Sequence, residues 1–182
     1  MKPVQTRALS RPVLHPVLIG LGGIAALTAS SWISVPMYPV PVTMQTMVVL
    51  LLGAVLGPRA GAATVLAWLA LSLTGAPVLA GGKPGLLALT GPTAGYLLAF
   101  PLVAFLAGYL PKGDGLAAHG LRLAGFLALH AAILFAGWSW LSALIGPKVA
   151  FVSGVVPFLI GSVIKSGLAT AILAAFPRRA DV

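Results

Sequence analysis

Apolar residues fill this chain in six blocks, at roughly 13–34, 43–57, 60–79, 92–111, 119–145 and 151–176. The second block is short. The last, FVSGVVPFLIGSVIKSGLATAILAAF, is long enough to cross a bilayer as a helix. Gly57-Pro58-Arg59 parts the second block from the third and predicts a tight helical hairpin there. The pattern predicts an all-α integral membrane protein. A single domain of six transmembrane helices covers 13–176, with an N-terminal segment over 1–12 and a tail over 177–182. The N-terminus mimics a signal peptide, with Lys2, Arg7 and Arg11 ahead of an apolar stretch. That stretch, Val13 to Ser34, exceeds the usual apolar core of about 7–15 residues, so it reads as a retained first span.

Two breaks between blocks are unusual. Val35-Pro36-Met37-Tyr38-Pro39-Val40-Pro41-Val42-Thr43 is proline-rich and predicted to be extended. Ala80 to Pro92, AGGKPGLLALTGP, is apolar and rich in Gly and Pro. Non-helical backbone at membrane depth persists only when buried in protein or lining a cavity. Both segments are therefore expected to fold over the mouth of a pocket. The plainer alternative is a pair of ordinary connectors.

Charge then orients the bundle. With six spans, Lys2, Arg7, Arg11, Arg59, Lys112, Arg122, Arg178 and Arg179 share one side, against Lys83 and Lys148 on the other. That bias places both termini in the cytoplasm. The net charge of +9 comes from single basic residues between apolar blocks, without a basic stripe, so topology explains it better than nucleic acid does. Hydrophobic residues make up 59% of the 182 positions and charged ones 7%, far below the ~25% of a soluble domain. There is no Cys, which excludes disulfides, thiolate metal sites and Cys nucleophiles. There is no Glu, and Asp114 and Asp181 both lie outside the apolar blocks. Paired-carboxylate catalysis is thereby excluded, and a carboxylate proton relay is disfavoured. No catalytic residue, metal site or cofactor is expected.

Lys165 is the exception to this partition. It sits near the middle of the last block, where a lysine costs about 2.5–3.5 kcal/mol to insert. No acidic residue in the membrane can pair with it, so a bound ligand is a natural counterpart. Ser162 lies three residues earlier, on the same helical face. In the first block, Gly22-x-x-x-Ala26 and Ala25-x-x-x-Ala29 form a small-residue stripe along which another helix can approach closely. The stripe fits internal packing and a partner protein equally well.

The run Pro39-Val40-Pro41-Val42-Thr43-Met44-Gln45-Thr46 resembles the P-V-P-x-T-x-Q-T signature of the BioY family. The likeness continues through Leu56–Gly61, Gly75–Gly82, Gly91-Pro92-Thr93-Ala94-Gly95-Tyr96 and Pro157–Lys165, in order and at the family's spacing. BioY proteins are biotin-specific substrate-binding (S) components of energy-coupling-factor transporters. The resemblance implies a six-helix S component of a bacterial cytoplasmic membrane that binds biotin from outside. It also implies two kinds of protein partner, a transmembrane coupling subunit and cytoplasmic ABC-type ATPases. S components meet the coupling subunit through the small-residue stripe of the first helix, which makes Gly22, Ala25, Ala26 and Ala29 contact candidates. Three positions depart from the family. Ser162 stands where G-D-x-x-K has Asp, Ala94 where Gly is usual after the Thr, and Leu79 where Phe is common.

Biotin offers a carboxylate, a ureido group with two N–H donors and one acceptor, and an apolar body. A matching site needs a cation, a few neutral polar groups and an apolar wall. Lys165 is assigned to either the carboxylate or the ureido oxygen, and Ser162 to a ureido N–H. Lys83 either closes over the carboxylate or is a solvated loop lysine. Gln45 either bonds the ureido group or holds its loop. Gly81 and Gly82 belong to the second loop. Thr43 and Thr93 are expected to cap helix starts, and Tyr96 to wall the pocket or anchor at the interface. Trp32, Trp138 and Trp140 read as interfacial belt residues and Trp68 as core. His130 is a lone intramembrane histidine and a weak candidate for ligand contact, while His15 and His119 flank spans. Two other classes compete. One is a stand-alone secondary transporter for biotin or a related small carboxylate. The other, much weaker, is an intramembrane hydrolase using Ser153 and His130, in which Phe151 breaks the G-x-S-G pattern.

Overall fold

The computed structural model describes residues 11–175, with side chains from Val17 onward. Lys2, Arg7 and the tail with Arg178 and Arg179 lie outside them, as do the side chains of Arg11 and His15. The chain is mostly helical: α1 (Arg11–Trp32), α2 (Gln45–Leu56), α3 (Pro58–Leu73), α4 (Gly85–Thr90), α5 (Ala94–Ala107), α6 (Leu116–Ile145), α7 (Pro147–Gly154) and α8 (Val156–Ala175). Two short strands, β1 (Ser34–Val35) and β2 (Val42–Thr43), pair antiparallel between α1 and α2, with Ser34 opposite Thr43 and Val35 opposite Val42.

The six apolar blocks reappear as helices, and the second, third and fourth are shorter than hydropathy implies. At about 1.5 Å per residue, the 12 residues of α2 reach only about 18 Å. Two stretches, Leu116–Ile145 and Pro147–Ala175, are long and apolar enough to cross a membrane unaided. The third block stops as helix at Leu73, because Gly75 takes φ +89° and turns the chain away. The last block is not one straight helix. It starts earlier, at Pro147, and breaks at Val155, whose φ is −119°. Pro157 accounts for the break: it donates no N–H, and its ring crowds the carbonyl four residues back, that of Ser153. The chain re-enters helix through a tighter bond from the Phe158 N–H to the Val155 carbonyl.

The proline-rich segment is partly a hairpin, held by the β1–β2 pair, with a cis Tyr38-Pro39 peptide in its loop. The second segment also departs from expectation. It carries a single 3-10 turn (Ala80–Gly82) and then the helix α4. The turn uses two left-handed glycines, Gly81 at φ +67° and Gly82 at φ +65°. Gly85 then seats α4 directly against the Ser72 backbone, where a Cβ would not fit.

Small residues let the helices close on one another. A Cβ on Gly61 would lie 2.6 Å from the Gly53 Cα, so α2 and α3 cross almost backbone to backbone beyond the Gly57-Pro58 turn. Gly53 likewise faces the Ala104 carbonyl of α5. The core between them is filled by Val49, Leu50, Trp68, Phe100, Phe126 and Leu141, all buried.

The basic residues divide between the two ends. At one end Pro58 packs on Gly108, and Arg122 donates to the Gly113 carbonyl, which brings Arg59, Lys112 and Arg122 together. Lys83 and Lys148 lie at the other, where Trp138 bonds the Pro147 carbonyl and Trp140 the Gly91 carbonyl. Arg122 is 3% exposed and spent on holding the 108–115 loop.

A cavity closed by two straps

The end bearing Lys83 contains a half-open cavity of about 710 Å³, open solvent at its mouth included. The first strap supplies Val40, Pro41 and Thr43, and the second Leu79, Ala80, Lys83 and, from α4, Ala88. Helix α5 gives Tyr96, Leu97 and Phe100, α6 gives His130, Ile133 and Leu134, and α8 gives Phe158, Ser162 and Lys165. Gln45, Thr46 and Thr93 complete the lining.

Lys165 reaches the cavity from the middle of α8 and is 5% exposed. Its Nζ donates to the Thr43 carbonyl at 3.0 Å and to the Thr46 hydroxyl at 2.9 Å. Both partners are neutral oxygens contributed by the signature segment, 122 and 119 residues away in sequence. The ammonium has three N–H donors, and these bonds use two. Among the described residues its charge is solvated by dipoles and not cancelled, which favours a ligand that brings an electron-rich oxygen.

Gln45 ties the first strap to α1. Its Nε2 donates to the Ser31 hydroxyl at 2.7 Å, and its Oε1 accepts from Thr43 at 3.0 Å. Thr43 is therefore not a helix cap: Met44 holds the N-cap position of α2, without a side-chain cap bond. Thr93 holds the N-cap position of α5 but is itself helical, and its hydroxyl bonds back to the Ala88 carbonyl at 3.0 Å. Ala94 opens α5 in helical conformation, so the residue usual there in the family, Gly, is not needed for backbone reasons.

Tyr96 is a wall of the cavity. Its ring stacks on Phe158 with centroids 6.0 Å apart, and its hydroxyl donates to the Gly154 carbonyl at 2.7 Å. Gly137 and Gly154 leave the slot that holds the ring. Lys83 is exposed at the rim. Gly81 and Gly82 do not line the cavity; they shape the turn that carries Lys83, and Gly82 rests beside the Trp32 ring.

Two further residues line the cavity and carry only a faint sequence signal, Thr46 and His130. Thr46 closes the signature run, and that position was its signal. His130 is 2% exposed and bonded on both sides: Nε2 to the Thr46 hydroxyl at 3.2 Å, Nδ1 to the Phe126 carbonyl at 3.1 Å and the Ser166 hydroxyl at 2.9 Å. Ser153 meanwhile donates to the Val149 carbonyl. The two do not form a nucleophile–base pair, which removes the geometric basis for a hydrolase. No metal-binding cluster occurs among the described residues.

On α1, Gly22, Ala25, Ala26 and Ala29 all face outward, while Gly23, Leu27, Ser30 and Ser31 face the bundle. Among the described residues, the small-residue stripe is thus not packed against the rest of the chain.

Fold and cavity together define a helical small-molecule-binding bundle with polar groups converging on one buried lysine. The chain belongs to the BioY family, whose family model matches residues 4–181. It is 38% identical over 149 residues to a probable biotin transporter BioY of Pyrococcus horikoshii, covering 82% of this chain and 88% of that protein. It is 34% identical over 172 residues to the biotin transporter BioY of Rhizobium etli, covering 85% and 89%. A crystal structure of the S component for biotin from an ECF-type ABC transporter superposes with a TM-score of 0.80 at 28% identity, over 93% of this chain and 94% of that one. The family is one of transporter components and not of enzymes, and the chain is a membrane protein.

Proposed function

We propose that this chain binds biotin in the strap-covered cavity and mediates its uptake as the S component of an energy-coupling-factor transporter. One observation carries the reading: Lys165, buried in the lining of a half-open cavity, is held among the described residues by neutral oxygens alone. In this reading the ureido ring sits deep. Lys165 meets its oxygen, while Ser162 and the free lone pair on Gln45 Oε1 accept its N–H groups. Tyr96 and Phe158 wall the apolar body. Lys83, on a strap shaped by Gly81 and Gly82, takes the carboxylate at the rim, and Thr43 and Thr93 hold the straps to the helices.

Six transmembrane helices with both termini in the cytoplasm, in a bacterial cytoplasmic membrane, fit the division of basic residues between the two ends. The segments 1–12 and 177–182 are then cytoplasmic, flanking one membrane domain over 13–176. The outward stripe of Gly22, Ala25, Ala26 and Ala29 is the surface for a transmembrane coupling subunit, which brings the cytoplasmic ATPases. Titration of the purified protein with biotin and biotin methyl ester tests the pocket assignment. Biotin should bind tightly and the ester more weakly. An absence of saturable biotin binding would refute the reading. Uptake in cells with and without the coupling subunit and ATPases separates an S component from a stand-alone transporter: only the former loses uptake in their absence.

A further inference from the structure

Four polar side chains from three helices form one continuous chain beneath the cavity: Lys165 and Ser166 on α8, Thr46 on α2 and His130 on α6. An ammonium donates and cannot accept. The Thr46 oxygen therefore receives the Lys165 N–H, and the Thr46 O–H must point elsewhere. Its other partner among the described residues is His130 Nε2 at 3.2 Å. Nε2 is then the acceptor, so the imidazole carries its proton on Nδ1. That proton faces the Phe126 carbonyl at 3.1 Å and the Ser166 hydroxyl at 2.9 Å.

We infer that His130 is a positioning residue for ligand recognition: its unprotonated Nε2 locks the Thr46 hydroxyl so that a lone pair faces Lys165 and holds the ammonium at the cavity floor. The inference rests on the biotin-binding reading for its consequence, but not for its geometry. It addresses the position where this chain has Ser162 in place of the family's Asp. Without a carboxylate to fix it, the lysine head group is fixed by an oriented hydroxyl, and the orientation comes from a histidine on a different helix. Deleting the acceptor frees the Thr46 rotor, whose O–H can then turn toward Lys165 and repel it.

The test combines two readouts. Two-bond 15N–1H correlation spectra of unliganded protein carrying 15N-histidine should show the Nδ1–H tautomer for His130, the signal being assigned by its absence in His130→Gln. A proton on Nε2 would overturn the inference, whatever the ligand turns out to be. For binding, His130→Leu and Thr46→Val should each weaken biotin about tenfold, the loss expected for one charge-assisted bond. Their double variant should lose little more than either alone, because both break the same link. His130→Gln, which can present an acceptor oxygen near the Nε2 position, should recover part of the loss. Thermal melts of every variant check the fold. Additive losses, or a His130→Leu variant that melts and binds like the parent, would overturn the inference while leaving the biotin reading intact. A parent that fails to bind biotin would refute that reading, and the tautomer would still decide the geometry.

Discussion

Gly137→Ala should damage the cavity from a position outside its lining. A methyl on Gly137 would enter the Tyr96 ring at a distance no real contact allows. The ring cannot slide along its own axis, because its hydroxyl is bonded to the Gly154 carbonyl at 2.7 Å. It cannot retreat through Phe158, against which it stacks. It can escape only into the cavity, breaking the Gly154 bond. Overpacking of this kind costs about 1–3 kcal/mol, and the lost hydrogen bond adds about 1 kcal/mol. A total of roughly 2–4 kcal/mol should lower the melting temperature in detergent by about 4–16 °C. Biotin affinity should fall as well, since the displaced ring takes up ligand space. Adding Tyr96→Leu should restore much of the melting temperature without restoring affinity. A Gly137→Ala protein that melts and binds like the parent would refute this account of the wall.

Other outcomes follow from the same geometry. Lys83→Ala should weaken biotin but leave biotin methyl ester nearly unaffected in parallel titrations; equal loss for both would remove Lys83 from the carboxylate. Ala25→Trp and Ala29→Trp alter an outward surface of α1, so they should leave purified binding within about twofold while abolishing uptake that depends on the coupling module. Loss of binding in both variants would show that the stripe supports the chain's own fold.

Much of this was legible in the sequence where local chemistry decides it. Gly57-Pro58 ends one helix and begins the next, and Gly57 does take φ +86°. The apolar composition of the two straps foretold that they would be drawn against the bundle, and both line the cavity. Hydropathy overstated helix length because it cannot distinguish a helix from an apolar strap: residues 74–79 are as apolar as α3 but irregular. Pro157 was visible in the last block, yet its effect at Val155 depends on how α7 and α8 pack. The threonine caps failed for a local reason. Thr43 and Thr93 spend their hydroxyls on near neighbours, Gln45 and the Ala88 carbonyl, and not on the first N–H groups of the helices they precede. His130 and Thr46 lie 84 residues apart, and a link of that range leaves no local trace.

The central claim is that Lys165, solvated by the Thr43 carbonyl and the Thr46 hydroxyl, is the cation around which the ligand is bound. Calorimetric titration of purified parent and Lys165→Ala proteins with biotin tests it most directly. Saturable tight binding in the parent, lost in a variant that still melts cooperatively, is the predicted result. Unchanged affinity in Lys165→Ala would contradict it.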